Sequence, residues 1–73
     1  FQFHYLLPEL TALENVLLAP RNLGLHEKYE AEAAGLLRKF GLEAKLKSLP
    51  AQMSGGEQQR VAIARALIMK PKY

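Results

Sequence analysis

Proline has no backbone N–H to donate, and its ring clashes with the preceding helical turn. Each proline therefore marks a place where a helix must start, kink or stop. This chain of 73 residues has four, at positions 8, 20, 50 and 71. The spacing between them favours helices joined by short connections over one long element. Phe1 to Leu7 is rich in aromatic residues and alternates poorly. It reads as the end of a strand followed by a loop that Pro8 fixes.

The remaining segments carry helix signals. Thr11-Ala12-Leu13-Glu14 has capping-box spacing, the Thr hydroxyl accepting from the third amide and the Glu reaching back. A short helix follows, with Leu13, Val16 and Leu17 on one face, and Pro20 is expected to stop it. Arg21 to His26 is a connector containing Gly24, with His26 at a loop or helix start. Glu27 to Phe40 forms the second helix. Tyr29, Ala33, Leu36, Leu37 and Phe40 recur at three- and four-residue steps and make an apolar stripe. Glu27 and Glu30 in its first turn, and Arg38 and Lys39 in its last, complement the helix dipole. Gly41 suits a left-handed cap, with Leu42 folding back onto the stripe. Glu43 to Ser48 is expected to form a short third helix with a Glu43–Lys47 pair, ended by Leu49-Pro50. The last helix starts at Ser54 and runs to about Met69, before Pro71. Val61, Ile63, Ala64, Leu67 and Ile68 are apolar, and Ala62 and Ala66 fill the other side. Such a helix seeks burial on more than one side, which a chain this short hardly supplies. Together with an opening on Phe1 and not Met, this leads us to expect a piece of a larger body. The expected fold class is all-α, a small bundle of three or four helices.

Composition narrows the function classes. Apolar residues make up 49% and charged residues 23% of the chain, an ordinary globular balance. There is no Cys, so disulfides, thiolate zinc sites and cysteine nucleophiles are excluded. Two histidines, His4 and His26, are too few and too far apart for a metal cluster. Ten Lys and Arg against seven Glu leave a net charge of +3. These charges are dotted over solvated faces with no basic stripe and no interleaved aromatics, so no nucleic-acid partner is expected. No uninterrupted apolar run is longer than that of Val16 to Ala19, four residues. A membrane-spanning helix needs about 20 such residues.

The stretch that carries chemistry is Met53-Ser54-Gly55-Gly56-Glu57-Gln58-Gln59-Arg60, followed by Val61-Ala62-Ile63-Ala64-Arg65-Ala66-Leu67. Each glycine in a helical turn costs about 1 kcal/mol relative to Ala. Two readings of Ser54 to Glu57 are open. In one, Ser54 and Glu57 form a plain capping box and the glycines allow a tight turn. In the other, the bare amides at the positive end of the helix, with the Ser54 hydroxyl, meet a phosphate. The chain contains no G-x-x-x-x-G-K-[ST] phosphate loop.

Ser54 to Leu67 resembles the signature motif and following helix of the ATP-binding-cassette (ABC) ATPases. The family pattern is Leu-Ser-Gly-Gly-Gln followed by Gln-Gln-Arg-Val-Ala-Ile-Ala-Arg-Ala-Leu. Phe1-Gln2 and Leu6-Leu7-Pro8-Glu9-Leu10-Thr11-Ala12-Leu13-Glu14-Asn15-Val16 resemble the Q-loop and the segment after it. The wording Phe3-His4-Tyr5-Leu6-Leu7-Pro8 and the Ser-Gly-Gly-Glu variant are most similar to the lipoprotein-releasing branch. The macrolide-exporter and cell-division branches are near neighbours.

The resemblance implies that residues 1–73 are the helical subdomain of an α/β P-loop ATPase, running from Q-loop to signature motif. Residues 1–10 would be the Q-loop end and coupling region, 11–49 helices, and 53–70 the signature motif with its helix. Gln2 would be a catalytic residue, sensing Mg²⁺ and the attacking water in the complete domain. Ser54, Gly55 and Gly56 would touch the γ-phosphate of ATP held by a second nucleotide-binding domain in a dimer. Phe3, Tyr5, Leu6, Leu7, Pro8 and Leu10 would border the groove for the coupling helix of a transmembrane permease subunit. The location implied is cytoplasmic, on the inner face of a bacterial plasma membrane. Met53 in place of Leu conserves volume. Glu57 in place of Gln puts a carboxylate where a phosphate would repel it, unless it turns back onto the Ser54 amide. Walker A and Walker B motifs are absent from this chain, so ATP hydrolysis is expected of the parent and not of these residues alone. The competing expectation is a stand-alone helical interaction module without a catalytic role.

Overall fold

A computed structural model of the chain describes residues 6–68. The expected strand end falls mostly outside them, as do Gln2, Phe3 and Tyr5. The described residues form α1 (Ala12–Val16), α2 (Leu18–Asn22), α3 (His26–Lys39) and α4 (Gly55–Leu67), with 3₁₀ turns at Glu43–Lys45 and Pro50–Gln52. No strand occurs among them, and the fold class is all-α, a small helical bundle.

The helices meet through small and branched residues at helical spacing. α1 contributes Ala12 and Val16, α3 contributes Ala33 and Leu37, and α4 contributes Val61 and Ala64, with Ile68 just beyond it. Leu17, Leu42 and Met53 complete this core from the connections. The Ala residues let α1, α3 and α4 approach one another closely, and α1 rests chiefly on α4. Met53 is almost wholly buried, as a volume-conserving replacement for Leu would be. Along α4, Val61, Ala64 and Ile68 face inward, while Ile63 and Leu67, one turn apart, stay exposed.

The end of α3 follows from Gly41. Its φ of +78° is left-handed, a region that costs a residue with a Cβ and not glycine. The Gly41 amide donates to the Arg38 carbonyl at 3.0 Å, and the Leu42 amide donates to the Leu37 carbonyl at 2.8 Å. That pair of bonds is a Schellman motif, and it drives Leu42 fully into the core.

Two expectations are corrected. Pro20 does not stop the first helix. It sits in the first turn of α2, where no intrahelical donor is needed, and it is buried. Its missing bond is the one to the Val16 carbonyl four residues back, so the break falls at Leu17, one turn earlier than expected. Glu43 to Ser48 is helical only over the 3₁₀ turn Glu43–Lys45 and does not continue as a helix to Ser48. The amides of Ala12 and Leu13 take the carbonyls of Ser48 (2.9 Å) and Leu46 (3.1 Å), which holds that stretch as a docking loop for α1. Locally it keeps only i to i+3 bonds, Lys45 to Leu42 at 2.9 Å and Ser48 to Lys45 at 3.0 Å. Glu43 pairs with Arg38 at 3.5 Å instead of Lys47. Both side chains are well exposed, so the pair adds little.

Candidate functional site

The turn at the start of α4 is built by a capping box. Ser54 has extended backbone, and its Oγ accepts from the Glu57 amide at 3.1 Å. The Glu57 carboxylate turns back and accepts from the Ser54 amide at 2.9 Å. The same carboxylate lies 3.9 Å from the Lys45 ammonium, which donates to the Gln52 carbonyl at 3.5 Å. Glu57 is thereby drawn back along the helix toward a cation, and its charge is partly offset.

The chain entering this turn is also held. Met53 anchors it in the core. The Gln58 side-chain amide donates to the carbonyls of Pro50 (2.9 Å) and Met53 (3.2 Å). Gln52 Oε1 accepts from the Leu49 amide at 2.8 Å, closing the 3₁₀ turn that Pro50 opens. Gln58, Gln52 and Lys45 are not among the residues expected to build this turn. The Leu49-to-Gln52 spacing is the reaching-back half of a capping box. That signal was present for Gln52, although no hydroxyl stands at its start.

α1 and α4 begin with the same device but end it differently. In α1 the Thr11 hydroxyl accepts from the Glu14 amide (3.2 Å) and Glu14 accepts from the Thr11 amide (2.8 Å). The two amides between, Ala12 and Leu13, are taken by loop carbonyls. In α4 the two corresponding amides belong to Gly55 and Gly56. No bond within the described residues occupies them, and both glycines are exposed. The Ser54 hydroxyl already accepts from Glu57, which leaves its own hydrogen for an outside acceptor.

The glycines are not needed for the turn. Neither has a positive φ. A Cβ on Gly55 would meet nothing within 4 Å, and one on Gly56 would meet only Ser54 Oγ at 4.0 Å. The capping box of the first reading is present, but the tight turn that would require glycine is not. Bare amides, a free hydroxyl hydrogen and the positive end of a thirteen-residue helix form a cradle suited to a phosphate.

The family model for ABC transporters matches residues 1–73. The chain belongs to this family. Among curated ABC relatives, the lipoprotein-releasing system ATP-binding protein LolD of Leptospira interrogans is 55% identical over 73 residues, covering 100% of this chain and 31% of the relative. LolD 2 of Chlorobaculum tepidum is 58% identical over 73 residues, covering 99% of this chain and 30% of the relative. LolD of Aquifex aeolicus is 58% identical over 73 residues, covering 97% and 32%. The chain thus spans less than a third of the length of these ABC relatives.

Ser54, Gly55 and Gly56 lie together on the surface of this ABC segment. Leu6, Leu7, Pro8 and Leu10 lie together on the approach to α1. Leu6 packs partly against the core, Leu10 is half-buried, and Leu7 and Pro8 are exposed. Gln2, Phe3 and Tyr5 lie outside the described residues. No cluster of metal-ligating side chains occurs among the described residues, and no described helix is long and apolar enough to cross a membrane. An open groove of about 520 Å³ lies elsewhere, with Leu13, Leu17, Leu46, Arg21, Glu30 and Lys47 among its lining. Its lining includes neither Ser54, Gly55 and Gly56 nor Leu6, Leu7, Pro8 and Leu10.

Proposed function

We propose that this chain is the helical subdomain of an ABC ATP-binding subunit. In the dimer, Ser54, Gly55 and Gly56 contact the terminal phosphate of ATP held by the second nucleotide-binding domain. The observation that carries this reading is the open pair of amides at Gly55 and Gly56, beside a closed pair at the matching positions of α1. A turn that keeps two glycines with no backbone need for them is suited to a ligand from outside. Donors held ready for a transferring phosphoryl group act without reorganising, which is where most electrostatic catalysis arises. Glu57 is compatible with a nearby phosphate because its carboxylate is occupied by the Ser54 amide and drawn toward Lys45.

In the complete subunit, Gln2 would position Mg²⁺ and the attacking water. The segment from Phe3 to Leu10 would receive the coupling helix of the permease on its apolar residues, Leu7 and Pro8 being the exposed ones among those described. The exposed Ile63 and Leu67 of α4 would be covered by the rest of the domain. The relatives are named for a lipoprotein-releasing system, and lipoprotein release is the transport role we assign, with the subunit itself on the cytoplasmic face of a bacterial plasma membrane.

The test uses the complete subunit with Gly55→Asp and Ser54→Arg. Each is expected to lower ATP turnover by roughly 100-fold or more, the scale of losing a transition-state donor. ATP uptake by the separate monomers should stay nearly intact, because the turn serves the opposite protomer. Unchanged turnover in both variants would end the trans-contact reading.

A further inference from the structure

Asn15 is the one fully buried polar side chain among the described residues. Every polar atom it has is used. Oδ1 accepts from the Leu7 amide at 2.8 Å, and Nδ2 is shared among the carbonyls of Leu7 (3.2 Å), Leu10 (3.1 Å) and Thr11 (3.1 Å). Three of these four bonds reach the Leu7–Leu10 segment. The only backbone bond within that segment is a single turn, Leu10 to Leu7 at 3.1 Å. Leu6 is partly buried against the core, while Leu7 and Pro8 are exposed. One side chain therefore does the work that a strand or helix ladder does elsewhere.

Burying an amide is unfavourable unless it is bonded. An apolar residue at position 15 would continue the Ala12–Val16 face without that demand. What the Asn adds is a fixed relation between an otherwise loose segment and α1. α1 in turn rests on α4, whose first turn carries Ser54, Gly55 and Gly56.

We propose that Asn15 is a positioning residue that locks the Leu6–Leu10 docking segment to α1, so that a load from a docked permease helix reaches the Ser54 turn as motion of one body. This rests on the docking and phosphate-contact roles proposed above.

The test compares wild type, Asn15→Ala and Asn15→Asp in the complete subunit co-assembled with its permease subunits in lipid nanodiscs. Two readouts are needed. The first is the ratio of ATP turnover with the permease to turnover without it, a ratio from which any inactive fraction cancels. The second is amide hydrogen exchange. Asn15→Ala should lower the stimulation ratio by about tenfold, the scale of losing one or two net hydrogen bonds. It should speed exchange at the Leu7 amide by a similar factor and leave α3 unchanged. Asn15→Asp keeps an acceptor for the Leu7 amide but turns a buried carboxylate oxygen onto the carbonyls of Leu7, Leu10 and Thr11, so it should lower the ratio and the Leu7 protection at least as much as Asn15→Ala.

An unchanged ratio despite lost Leu7 protection would overturn the proposal. Equal loss of protection through α3 and α4, or failure of both variants to fold, would overturn it too, because the role would then be general packing. Failure of the underlying reading looks different: the subunit with Asn15 intact would show no ATP turnover, or Gly55→Asp would leave turnover unchanged.

Discussion

Replacing Gly55 with Ala adds one methyl group to open space. The backbone is helical there, no φ is positive, and nothing lies within 4 Å of the added carbon. By helix propensity alone, Gly55→Ala should stabilise the isolated chain by about 0.5–1 kcal/mol. The same methyl group would stand between the amides and an arriving phosphate, so turnover of the complete subunit should fall. Thermal melts of the chain and ATPase assays of the subunit check the two halves. A variant that is more stable and equally active would mean that the glycines have no ligand to admit. Ser54→Ala should act oppositely on stability, with a loss of about 1 kcal/mol, because the Glu57 amide loses its acceptor. Ser54 and Glu57 were legible as a capping box because the pattern is local. Asn15 was not, since its partners at Leu7 and Leu10 are loop carbonyls that no helical spacing reveals.

At the scale of the element, the same residue type has opposite effects in different places. Gly35 is inside α3 and Gly41 is just past its end. A Cβ on Gly35 meets nothing within 4 Å, so Gly35→Ala should stabilise by about 1 kcal/mol. Gly41→Ala must carry a Cβ at φ +78° and should destabilise by roughly 1 kcal/mol or more. Denaturant melts of the pair give the sign directly, and equal signs would contradict the Schellman geometry. Both ends of α3 were readable from sequence to within a residue, because dipole charges, the apolar stripe and the glycine cap agree. The 43–48 stretch was misread for the converse reason. Its local helix signals were sound, yet bonds from Ala12 and Leu13 to Ser48 and Leu46 outweigh them.

For the whole molecule, the margin is small. A chain of this length has a stability on the order of 4–11 kcal/mol at typical values per residue, and among the described residues several of the ten buried hydrophobic ones are Ala. Leu37 is fully buried at the meeting of α3 with the core. Leu37→Ala should cost about 2–5 kcal/mol, a large share of that margin, and lower the melting temperature of the isolated chain, as circular dichroism would register. Ile63→Lys, on the exposed side of α4, should shift the melt by under about 0.5 kcal/mol. The isolated 73-residue chain should show no ATP turnover, since it has no phosphate loop. Micromolar nucleotide affinity measured calorimetrically in that chain would refute this division of labour.

The chain's own residue order determined the all-α class, the two capping boxes, the span and cap of α3, and membership in the ABC family. All of these depend on neighbours within about one helical turn, or on a motif read residue by residue. Tertiary structure decided where the helix breaks before Pro20, and why 43–48 is a docking loop. It also decided which of two identical caps has its amides open, and what Asn15 holds. Each of these depends on which distant carbonyl reaches a given N–H first, a competition settled only when the pieces have packed.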